Sequence, residues 1–478
     1  MIILRDYQER AISQMESALA ADRESGRRHA GVCSAAVGAG KSILIGIMAK
    51  RETEAREGRL LVLCNVKELV EQDAEKIELA IGERPDVFSA GVGRKETGGL
   101  IVVASVQSLA RDPLIAGRFT LILADEAHGI NPESEGQWRK IIDCQDCDII
   151  GFTGTPWRLN SGPIYGADRL FDRVTTTISI EELQNMGHLV QVQSKARSLI
   201  DGPVRVKQGE YDTKEQEDQI QFLDVIHALD AHCAGRHSIL IFVPGVQSGT
   251  ELTSRLLQHG ERAAEIYGYT PINERERIIA DFKAGRTRYM VNCGTLTTGF
   301  DCPRIDCVVL LRKTMSGALL VQMVGRGLRP CPPKRELLLL DYAGNFLQHP
   351  AVQDIEAPAK GKEPKGETHR VCPKCEELVR YGKESCPCCG HVFPKEEQER
   401  ELAFGGKAHE MRRLADMAEH EVFALYAQEC KAKQHKPVAA LVRYKEKFGR
   451  WPSTTVGQRS RHPFAWTMVD GKRACVWQ

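Results

Sequence analysis

Short, nearly continuous apolar runs recur along the first 350 residues, and stretches with helical periodicity separate them. Such runs are typical of parallel strands that helices cover on both faces of a sheet. The predicted strands are 30–33, 59–64, 100–104, 121–124, 149–152, 238–243, 288–292, 307–311 and 336–341. The set divides near residue 190 into two groups of similar size. The pattern therefore predicts two α/β lobes, at 1–188 and 189–350.

The pattern changes after residue 350. Residues 351–368 are rich in Pro, Gly, Lys and Glu, which indicates a solvated linker. A cysteine-rich segment follows at 369–396. The tail, 397–478, is predicted to be small and helical, with one amphipathic helix around Met411, Leu414 and Met417 and a second over 436–451.

Composition indicates which partners and which cellular compartment the protein can have. The net charge of +1 over 478 residues means that any polyanion must meet a local basic surface. No apolar run is long enough to span a bilayer, and the first residues do not form a signal peptide. Most of the sixteen cysteines stand singly in apolar segments, as reduced thiols do. We expect a cytoplasmic protein without a membrane partner.

A glycine-containing loop follows the first predicted strand and precedes a helical stretch. It reads Ala-Ala-Val-Gly-Ala-Gly-Lys-Ser at residues 35–42. Backbone amides of Gly38, Ala39 and Gly40 would cradle phosphates, Lys41 would meet the β- and γ-phosphates, and the Ser42 hydroxyl would bind Mg²⁺. The first glycine of the general pattern is replaced by alanine, and a simple glycine turn with an exposed lysine is the alternative.

Two carboxylates end the predicted strand 121–124. Asp125 and Glu126 would emerge at the carboxyl edge of a parallel sheet, where ligands bind. Asp125 would hold Mg²⁺ and Glu126 would orient the attacking water. A solvated strand end is the alternative for either residue alone.

The segment Asp125-Glu126-Ala127-His128 resembles the DEAH box of superfamily 2 helicases, and further segments resemble the motifs of that family in order. These segments are 5–8, 63–72, 104–109, 153–156, 240–245, 292–301 and 322–330. The resemblance covers roughly residues 1–350 and is nearest to helicases related to restriction-enzyme translocase subunits, with a similarity to phage and prophage helicases at the tail.

The resemblance implies two RecA-like lobes that hydrolyse ATP with Mg²⁺ in their shared cleft. Arg326 and Arg329 would stabilise the charge that builds up on the γ-phosphate. Because they are three residues apart, we expect them on one face of a helix. A solvated helix face is the alternative. Further contacts to ATP are implied for Arg5, Gln8, Gly299, Asp301 and Gln322.

The same resemblance implies a track for nucleic acid and a relay to the ATP site. His128, Thr153 and Thr155 would couple the two. Contacts to the strand are implied for Lys67, Ser105, Gln107, Pro244, Gly245, Thr295 and Thr297, as phosphate contacts that read no sequence. DNA is the expected substrate. The alternatives are a duplex translocase that separates no strands, an RNA helicase, and a binding module whose ATPase has decayed.

Two C-x₂-C pairs, Cys372/Cys375 and Cys386/Cys389, are separated by ten residues and resemble a zinc ribbon. Four thiolates at this spacing suit tetrahedral Zn²⁺. Cys388, His369 and His391 are alternative ligands. The ribbon could contact nucleic acid, dock a protein partner or act as a structural staple. The basic tail, which contains three tryptophans, could bind single strands or form a small core of its own. The isolated pair Cys144/Cys147 has no second pair and is interpreted as a coincidence of spacing beside a core strand.

Overall fold

A computed structural model of the protein describes most of the chain. The described residues are 3–55, 58–130, 136–158, 162–200, 204–207, 209–297, 299–347, 349, 352, 355, 369–394, 423, 426–427, 440–441, 444, 464–469 and 472–477. The chain forms two compact units, 1–393 and 394–478.

The first lobe is built on an eight-stranded sheet. In spatial order its strands are β10 (Arg173–Ile178), β1 (Ala30–Ala35), β7 (Asp148–Thr153), β6 (Leu121–Asp125), β2 (Leu60–Cys64), β5 (Ile101–Ser105), β3 (Asp86–Ser89) and β4 (Arg94–Lys95). All neighbours are parallel except β3 and β4. Its helices are α1 (Asp6–Glu24), α2 (Lys41–Ala55), α3 (Lys67–Ile81), α4 (Val106–Leu109), α5 (Gln137–Gln145) and α6 (Ile180–Asn185), and β8 (Trp157–Arg158) pairs with β9 (Gly162–Pro163).

The second lobe is built on a six-stranded, wholly parallel sheet. In spatial order its strands are β11 (Gln191–Ala196), β18 (Glu336–Asp341), β17 (Cys307–Leu310), β14 (Ile239–Phe242), β16 (Tyr289–Asn292) and β15 (Ala263–Ile266). Its helices are α7 (Thr213–Asp218), α8 (Phe222–Cys233), α9 (Val246–Gln258), α10 (Ile272–Lys283) and α11 (Gly317–Gly325), and β12 (Val206–Lys207) pairs with β13 (Glu210–Tyr211). Within the described residues, every helix is too short or too polar to cross a bilayer.

Apolar cores cover both faces of each sheet. One continuous cluster includes Val62 and Ile150 from the first sheet and Leu240 and Val308 from the second, so the inner cores of the two lobes merge. Separate clusters fill the outer face of each sheet. Complete burial of such a side chain contributes about 1.5–3 kcal/mol, and the merged core therefore holds the lobes together at their inner faces.

Every predicted strand is present, within two residues at each end. In the two main sheets β3, β4, β10, β11 and β15 were not predicted, and the sequences of β10 and β11, RVTTTI and QVQSKA, lack an apolar run. Both strands lie at the edge of their sheet. An edge strand has only one neighbour and tolerates polar residues, so apolar patterning does not reveal it.

The second unit contains a small helical core and a hairpin. Phe423 and Tyr444 are buried on helical backbone, and their rings pack edge to face with centroids 5.9 Å apart. An antiparallel hairpin of β21 (Phe464–Val469) and β22 (Lys472–Trp477) was not predicted. The helix predicted around Met411 lies outside the described residues.

A short ribbon of β19 (His369–Val371) and β20 (Leu378–Arg380) belongs to the first unit. Its apolar centre is Val379 and Phe393, packed with Cys372 and Cys386. This small core cannot bury much surface, and such modules depend on a metal or on a neighbour for stability.

A buried ionic network anchors α1 to the start of the first sheet. Asp22 in α1 accepts a hydrogen bond of 2.7 Å from His29, just before β1, and one of 2.6 Å from Arg173 in β10. Burial opposes ionisation of this carboxyl, but the His29 and Arg173 hydrogen bonds lower its pKa below the ordinary value. The network therefore stabilises the fold through the ionised form of Asp22.

Replacement of Asp22 by alanine should lower the free energy of unfolding by about 2 kcal/mol, because the buried His29 loses its partner. Since the folded pKa of Asp22 is depressed, its contribution is present above the unfolded pKa of about 4 and is lost as pH falls through the folded pKa. The free energy of unfolding of wild type and variant, measured by urea denaturation at pH 7 and at pH 3, tests both effects.

The matched control is Asp143→Ala in α5, which removes a half-exposed carboxylate paired with Arg139 at 3.0 Å. A surface pair of this kind contributes less than about 1 kcal/mol. Equal losses in the two variants would contradict a special role for the Asp22 network.

Candidate active site

Three adjacent strands of the first sheet carry the predicted ATP-site residues to one edge. Strand β1 leads into the glycine-containing loop and α2, β7 ends at Thr153, and β6 ends at Asp125. Because neighbouring parallel strands end at the same edge, the loop and the carboxylates converge. Lys41 Nζ lies 3.8 Å from Glu126 Oε1 across this edge.

The loop before α2 has the backbone that the sequence predicts. Gly38 and Gly40 have φ angles of +91° and +83°, a conformation that favours glycine. Gln8 donates a hydrogen bond of 3.2 Å to the Ala39 carbonyl, and a Cβ on Gly40 would lie 2.8 Å from Gln8 Nε2. The predicted adenine-contacting segment therefore lies directly on the phosphate loop.

Tyr7 also donates to the Ala39 carbonyl, at 3.2 Å, although only Arg5 and Gln8 were predicted in this segment. Arg5 donates to the Tyr7 hydroxyl at 3.3 Å. The Tyr7 ring lies 5.2 Å from that of His188 at the end of the lobe. The structure thus adds Tyr7 and His188 to the surroundings of the loop.

The two strand-end carboxylates have opposite electrostatic surroundings. Burial, together with the charges of Asp73 and Glu126, raises the pKa of Asp125 well above its ordinary value. Burial would also raise the pKa of Glu126, but Lys41 and His128 lower it to about 2. Glu126 is thereby held ionised, as a group that polarises water must be.

Glu126 also has an uncommon backbone, with a φ of +47° that non-glycine residues rarely adopt. Such strain is found at functional sites, where the surrounding structure maintains it.

A third carboxylate, that of Asp73 in α3, lies in the same cluster and was not predicted. It is fully buried, it accepts a hydrogen bond of 3.3 Å from the Cys64 thiol, and the nearby Ser42 hydroxyl acts to lower its pKa. Burial raises the pKa of Asp73 to about 6, despite the Ser42 and Cys64 hydrogen bonds.

These side chains fit a magnesium ion. A hydroxyl and carboxylate oxygens are the hard ligands that Mg²⁺ prefers. Asp73 Oδ1 is buried and has no hydrogen-bond partner among the described residues, which leaves an oxygen for a cation or its waters. Ser42 and Asp125 remain the residues predicted to hold the metal.

Arg326 comes from the second lobe and is buried at this cleft, with 5% of its surface exposed. It donates to the Phe300 carbonyl at 2.7 Å, and its Nε has no partner among the described residues. Burial, and then the charge of Arg329, lower its pKa to about 10. A buried guanidinium without a carboxylate in contact is suited to an anionic ligand.

The expectation that Arg326 and Arg329 share a helix face is wrong. Helix α11 ends at Gly325, Arg326 is its C-cap, and Arg329 lies in the following irregular segment, where it pairs with Asp301. Gly325 and Gly327 weaken helical propensity here, and Pro330 follows. The two arginines are nonetheless close enough to interact electrostatically.

The glycine at 325 also allows the two lobes to approach. A Cβ at this position would lie 2.6 Å from Cβ of Val37 in the phosphate loop. Lys334, which was not predicted, supports the same region because its Nζ donates to the carbonyls of Pro303, Ile305 and Gly327 at 2.8–3.0 Å. It ties the segment after Arg329 to the loop that contains Asp301.

The predicted relay residues contact one another in the first lobe, and His128 also reaches the second lobe. His128 Nδ1 lies 3.0 Å from the Thr153 hydroxyl, and His128 Nε2 lies 3.1 Å from Gln322 Nε2 of the second lobe. Thr155 donates its backbone N–H to Thr153 at 3.1 Å. Gln322, predicted to contact ATP, is thus placed at the relay.

A second hydrogen bond between the lobes links motifs predicted to face nucleic acid and ATP. Gln72 in α3 donates to the Gly299 carbonyl at 2.7 Å. Helix α3 begins at Lys67, which the sequence predicts to contact a strand. A movement of α3 would therefore be transmitted to the loop that contains Gly299.

The predicted strand contacts are divided between the lobes. In the first lobe Ser105 Oγ bonds Ser108 at 2.8 Å, and Gln107 donates to the Asn65 carbonyl at 2.8 Å. In the second, Thr295 and Thr297 donate to carbonyls of their own loop at 3.1 and 3.0 Å. Their roles remain predictions.

The N-terminus of α9, where Pro244 and Gly245 were predicted to contact a strand, holds a carboxylate. Glu217 accepts hydrogen bonds from the Ser248 N–H and hydroxyl at 2.9 and 3.1 Å. A Cβ on Gly245 would lie 2.3 Å from Glu217 Oε1. Glu217 satisfies the amide that a phosphate would otherwise meet.

The four predicted zinc ligands form one cluster. Their sulfur atoms lie within 4.8 Å of one another, with Cys372–Cys389 and Cys375–Cys386 each at 3.6 Å. Tetrahedral Zn²⁺ with bonds of about 2.3 Å requires sulfurs about 3.8 Å apart. Among the described residues, the alternatives Cys388, His369 and His391 do not belong to the cluster.

The thiols of the cluster differ in acidity, since burial raises the pKa of Cys375 and of Cys386 above the ordinary value whereas the pKa of Cys372 is lowered. Burial opposes ionisation, but the backbone N–H groups of Lys374 and Cys375 lower the pKa of Cys372 to about 7. Thiolates are the form that binds metal.

The ribbon that carries this cluster is docked on the edge strand β11. Ala196 donates its N–H to the Glu376 carbonyl at 3.0 Å, and Lys195 Nζ donates to the Cys375 carbonyl at 2.8 Å. Lys195 and Glu377 also form an antiparallel bridge. The ribbon therefore covers part of the β11 edge of the second sheet.

Comparison with known proteins agrees with this geometry. Residues 1–158 match the family model for the type III restriction enzyme, res subunit, and residues 218–331 match that for the helicase conserved C-terminal domain. The first range contains the phosphate loop and the carboxylates, and the second contains Arg326 and Arg329.

Individual relatives extend over most of the chain. A 51.5 kDa protein of a Lactococcus phage is 27% identical over 76% of this chain and 78% of its own length. A protein of Schizosaccharomyces pombe named as the mitochondrial ATP-dependent helicase irc3 is 28% identical over 72% of this chain, which spans 58% of that relative.

A solved fragment named as an HsdR subunit of a type I restriction enzyme, from Vibrio vulnificus, shares the fold. It has a TM-score of 0.54 at 19% identity and covers 76% of this chain and 68% of its own. With both family matches and the convergent cleft residues, these findings show that the chain is an ATP-dependent helicase enzyme of superfamily 2, related to the restriction-enzyme translocases.

Proposed function

We propose that the protein uses ATP hydrolysis between its lobes to move along DNA and to separate the strands. The observation that carries the proposal is the convergence of Lys41 and Glu126 from the first lobe with Arg326 from the second. Glu126 interacts electrostatically with both cations. Neither lobe alone supplies both a phosphate loop and a buried arginine.

The reaction chemistry follows from these positions. Lys41 and the loop amides would bind the phosphates, and ionised Glu126 would orient the attacking water. Ser42 and Asp125 would hold Mg²⁺, which supplies charge neutralisation between the β- and γ-phosphates when bound. Arg326, with Arg329 beside it, would stabilise charge on the γ-phosphate oxygens.

Coupling to the polymer is supported by the two hydrogen bonds between the lobes. His128–Gln322 lies at the ATP side, and Gln72–Gly299 joins α3 to the second lobe. A strand that lies across both lobes favours the closed cleft, and a closed cleft favours hydrolysis. By linkage the two effects reinforce each other.

DNA is favoured as the polymer because the first lobe matches a restriction-enzyme family. An open cavity of about 800 Å³ beside Gln107 is also lined by Arg111, Lys140 and Asp143, whose charges sum to a positive excess next to the predicted track. Phosphate contacts of this kind position a strand without reading its sequence. Duplex translocation without strand separation and action on RNA are the alternatives that the assays below distinguish.

We also propose that the four-cysteine cluster holds one Zn²⁺ and that the ribbon is a structural staple of the second lobe. Its hydrogen bonds to β11 satisfy edge amides that would otherwise face solvent or another chain. Besides accepting a hydrogen bond from the Ala196 N–H, Glu376 lies 3.4 Å from His232 and 3.7 Å from Arg197. Docking of a protein partner through the ribbon or tail remains a secondary proposal.

ATP turnover should rise strongly with one class of polymer. The assay compares single-stranded DNA, duplex DNA, single-stranded RNA and no polymer, with Lys41→Ala as the inactive control. Stimulation by single-stranded DNA, together with strand displacement, supports a DNA helicase. Stimulation by duplex alone without displacement would favour a translocase, and stimulation by RNA alone would refute the choice of DNA. Turnover by wild type no higher than by Lys41→Ala would favour the decayed ATPase.

Arg326→Ala should reduce polymer-stimulated ATP turnover by roughly a thousandfold or more, because the γ-phosphate charge loses its stabilising cation. Nucleotide binding, measured with a fluorescent ADP analogue, should persist. The control is Arg286→Ala, an exposed arginine of the same lobe that pairs with Asp281. Unchanged turnover in Arg326→Ala would remove its catalytic role.

Purified, reduced protein should contain about one zinc per chain, because four thiolates complete one tetrahedral site. Cys386→Ser should lose most of this zinc, whereas Cys388→Ser should retain it, since the exposed Cys388 lies outside the cluster. Elemental analysis with thiol titration measures both. Folded wild-type protein with reduced thiols and no bound metal would refute the zinc site.

A further inference from the structure

We infer that Asp73 is an acidic positioning residue of the magnesium site, which orients the Ser42 hydroxyl and adds a third negative charge beside the cation. The inference rests on the ATP hydrolysis proposed above. It concerns a residue of α3 that lies outside the phosphate loop and the DEAH box.

The two carboxylate oxygens of Asp73 differ in their hydrogen bonding. One oxygen, Oδ2, accepts a hydrogen bond from the Cys64 thiol at 3.3 Å, and the Ser42 hydroxyl is close enough to the carboxylate to lower its pKa. The other oxygen, Oδ1, is buried without a partner within the described part of the chain. Buried polar atoms are normally paired, so an orphaned carboxylate oxygen points to a ligand that completes it.

The contact with Ser42 connects Asp73 to the metal. A hydroxyl has one proton to donate and two lone pairs to offer. When its proton is held by Asp73, the Ser42 oxygen keeps its lone pairs for a cation. Ser42 is also the second residue of α2, so its hydroxyl lies next to the phosphate loop.

The charge balance of the cluster supports the same conclusion. Asp73 interacts electrostatically with Asp125 and Glu126, and Lys41 is the cation of the first lobe that acts on all three. Even with Arg326 of the second lobe, which acts on Glu126, three carboxylates against two cations leave excess negative charge in a poorly solvated place, which is costly. A divalent cation removes this excess.

A purely structural acid would differ from Asp73 in its partners. Asp22, in the buried network at α1, is paired directly with His29 and Arg173. Asp73 accepts its hydrogen bond from a neutral thiol, that of Cys64, lies near the neutral Ser42 hydroxyl, and has no salt bridge among the described residues. The absence of a fixed counter-charge leaves its charge available to a bound cation.

The test uses Asp73→Asn in the full chain, which removes the charge and keeps the shape. The matched control is Glu75→Gln, the same chemical change at an exposed position of the same helix. Binding of a fluorescent ADP analogue is measured over a series of MgCl₂ concentrations, and Mn²⁺ binding to the ADP complex is measured by electron paramagnetic resonance. Thermal unfolding is followed without nucleotide or metal.

Asp73→Asn should require about tenfold more Mg²⁺ for half-maximal nucleotide binding, in the range typical of residues that orient metal ligands. Its Mn²⁺ affinity should fall in parallel. Its metal-free melting temperature should stay equal or rise, because a buried like charge is removed. Glu75→Gln should match wild type in all three measurements.

An unchanged Mg²⁺ midpoint in Asp73→Asn would overturn the inference, and a lowered metal-free melting temperature with that midpoint would show a structural role alone. Should Asp73→Asn not fold, Asp73→Thr is measured instead and must show the same shift. Wild type that binds no nucleotide at any Mg²⁺ concentration would refute the proposed ATPase itself. That result differs from the one that overturns the inference about Asp73, in which wild type and Asp73→Asn both bind nucleotide and share the same Mg²⁺ midpoint.

Discussion

The balance of buried charge in the cleft is the constraint on which the rest of the structure depends. The first lobe brings Asp73, Asp125 and Glu126 to one edge with Lys41, and the second brings Arg326, which contacts no carboxylate in the described part of the chain. Within each lobe the charges of these residues do not cancel. Closure of the lobes and neutralisation of the cleft are therefore one event, and the small residue at 325 is what allows the surfaces to approach.

This balance explains why the coupling residues lie where they do. His128 contacts Glu126 at 3.3 Å, Thr153 at 3.0 Å and Gln322 at 3.1 Å, so one side chain joins a charged group, the neighbouring strand end and the other lobe. A change in the charge on Glu126 therefore acts directly on His128, which forms the contact with Gln322 between the lobes. The relay needs no long chain of contacts, because the cleft and the interface are the same surface.

Local patterns were sufficient to predict the core strands, the phosphate loop, the DEAH carboxylates and the four cysteines, because each depends on adjacent residues. The shared helix for the arginines failed because glycines end α11 at Gly325. Asp73 was missed, although it occupies the buried stripe of α3 with Leu69, Val70 and Ile77, where an acid is unusual. The docking of the ribbon on β11 joins residues about 180 positions apart, and no local signal encodes such a contact.

The pairing of β11 has a consequence for how the protein is made. This strand, the first of the second sheet, hydrogen-bonds there only to β18, with Gln191 opposite Glu336. On the ribosome β11 emerges long before its partner, whereas the strands of the first lobe are complete by Ile178. The first lobe can therefore fold during synthesis, but the second must wait until almost its whole sequence is available. Until then β11 is an unpaired strand in the nascent chain, and its polar sequence keeps that strand soluble.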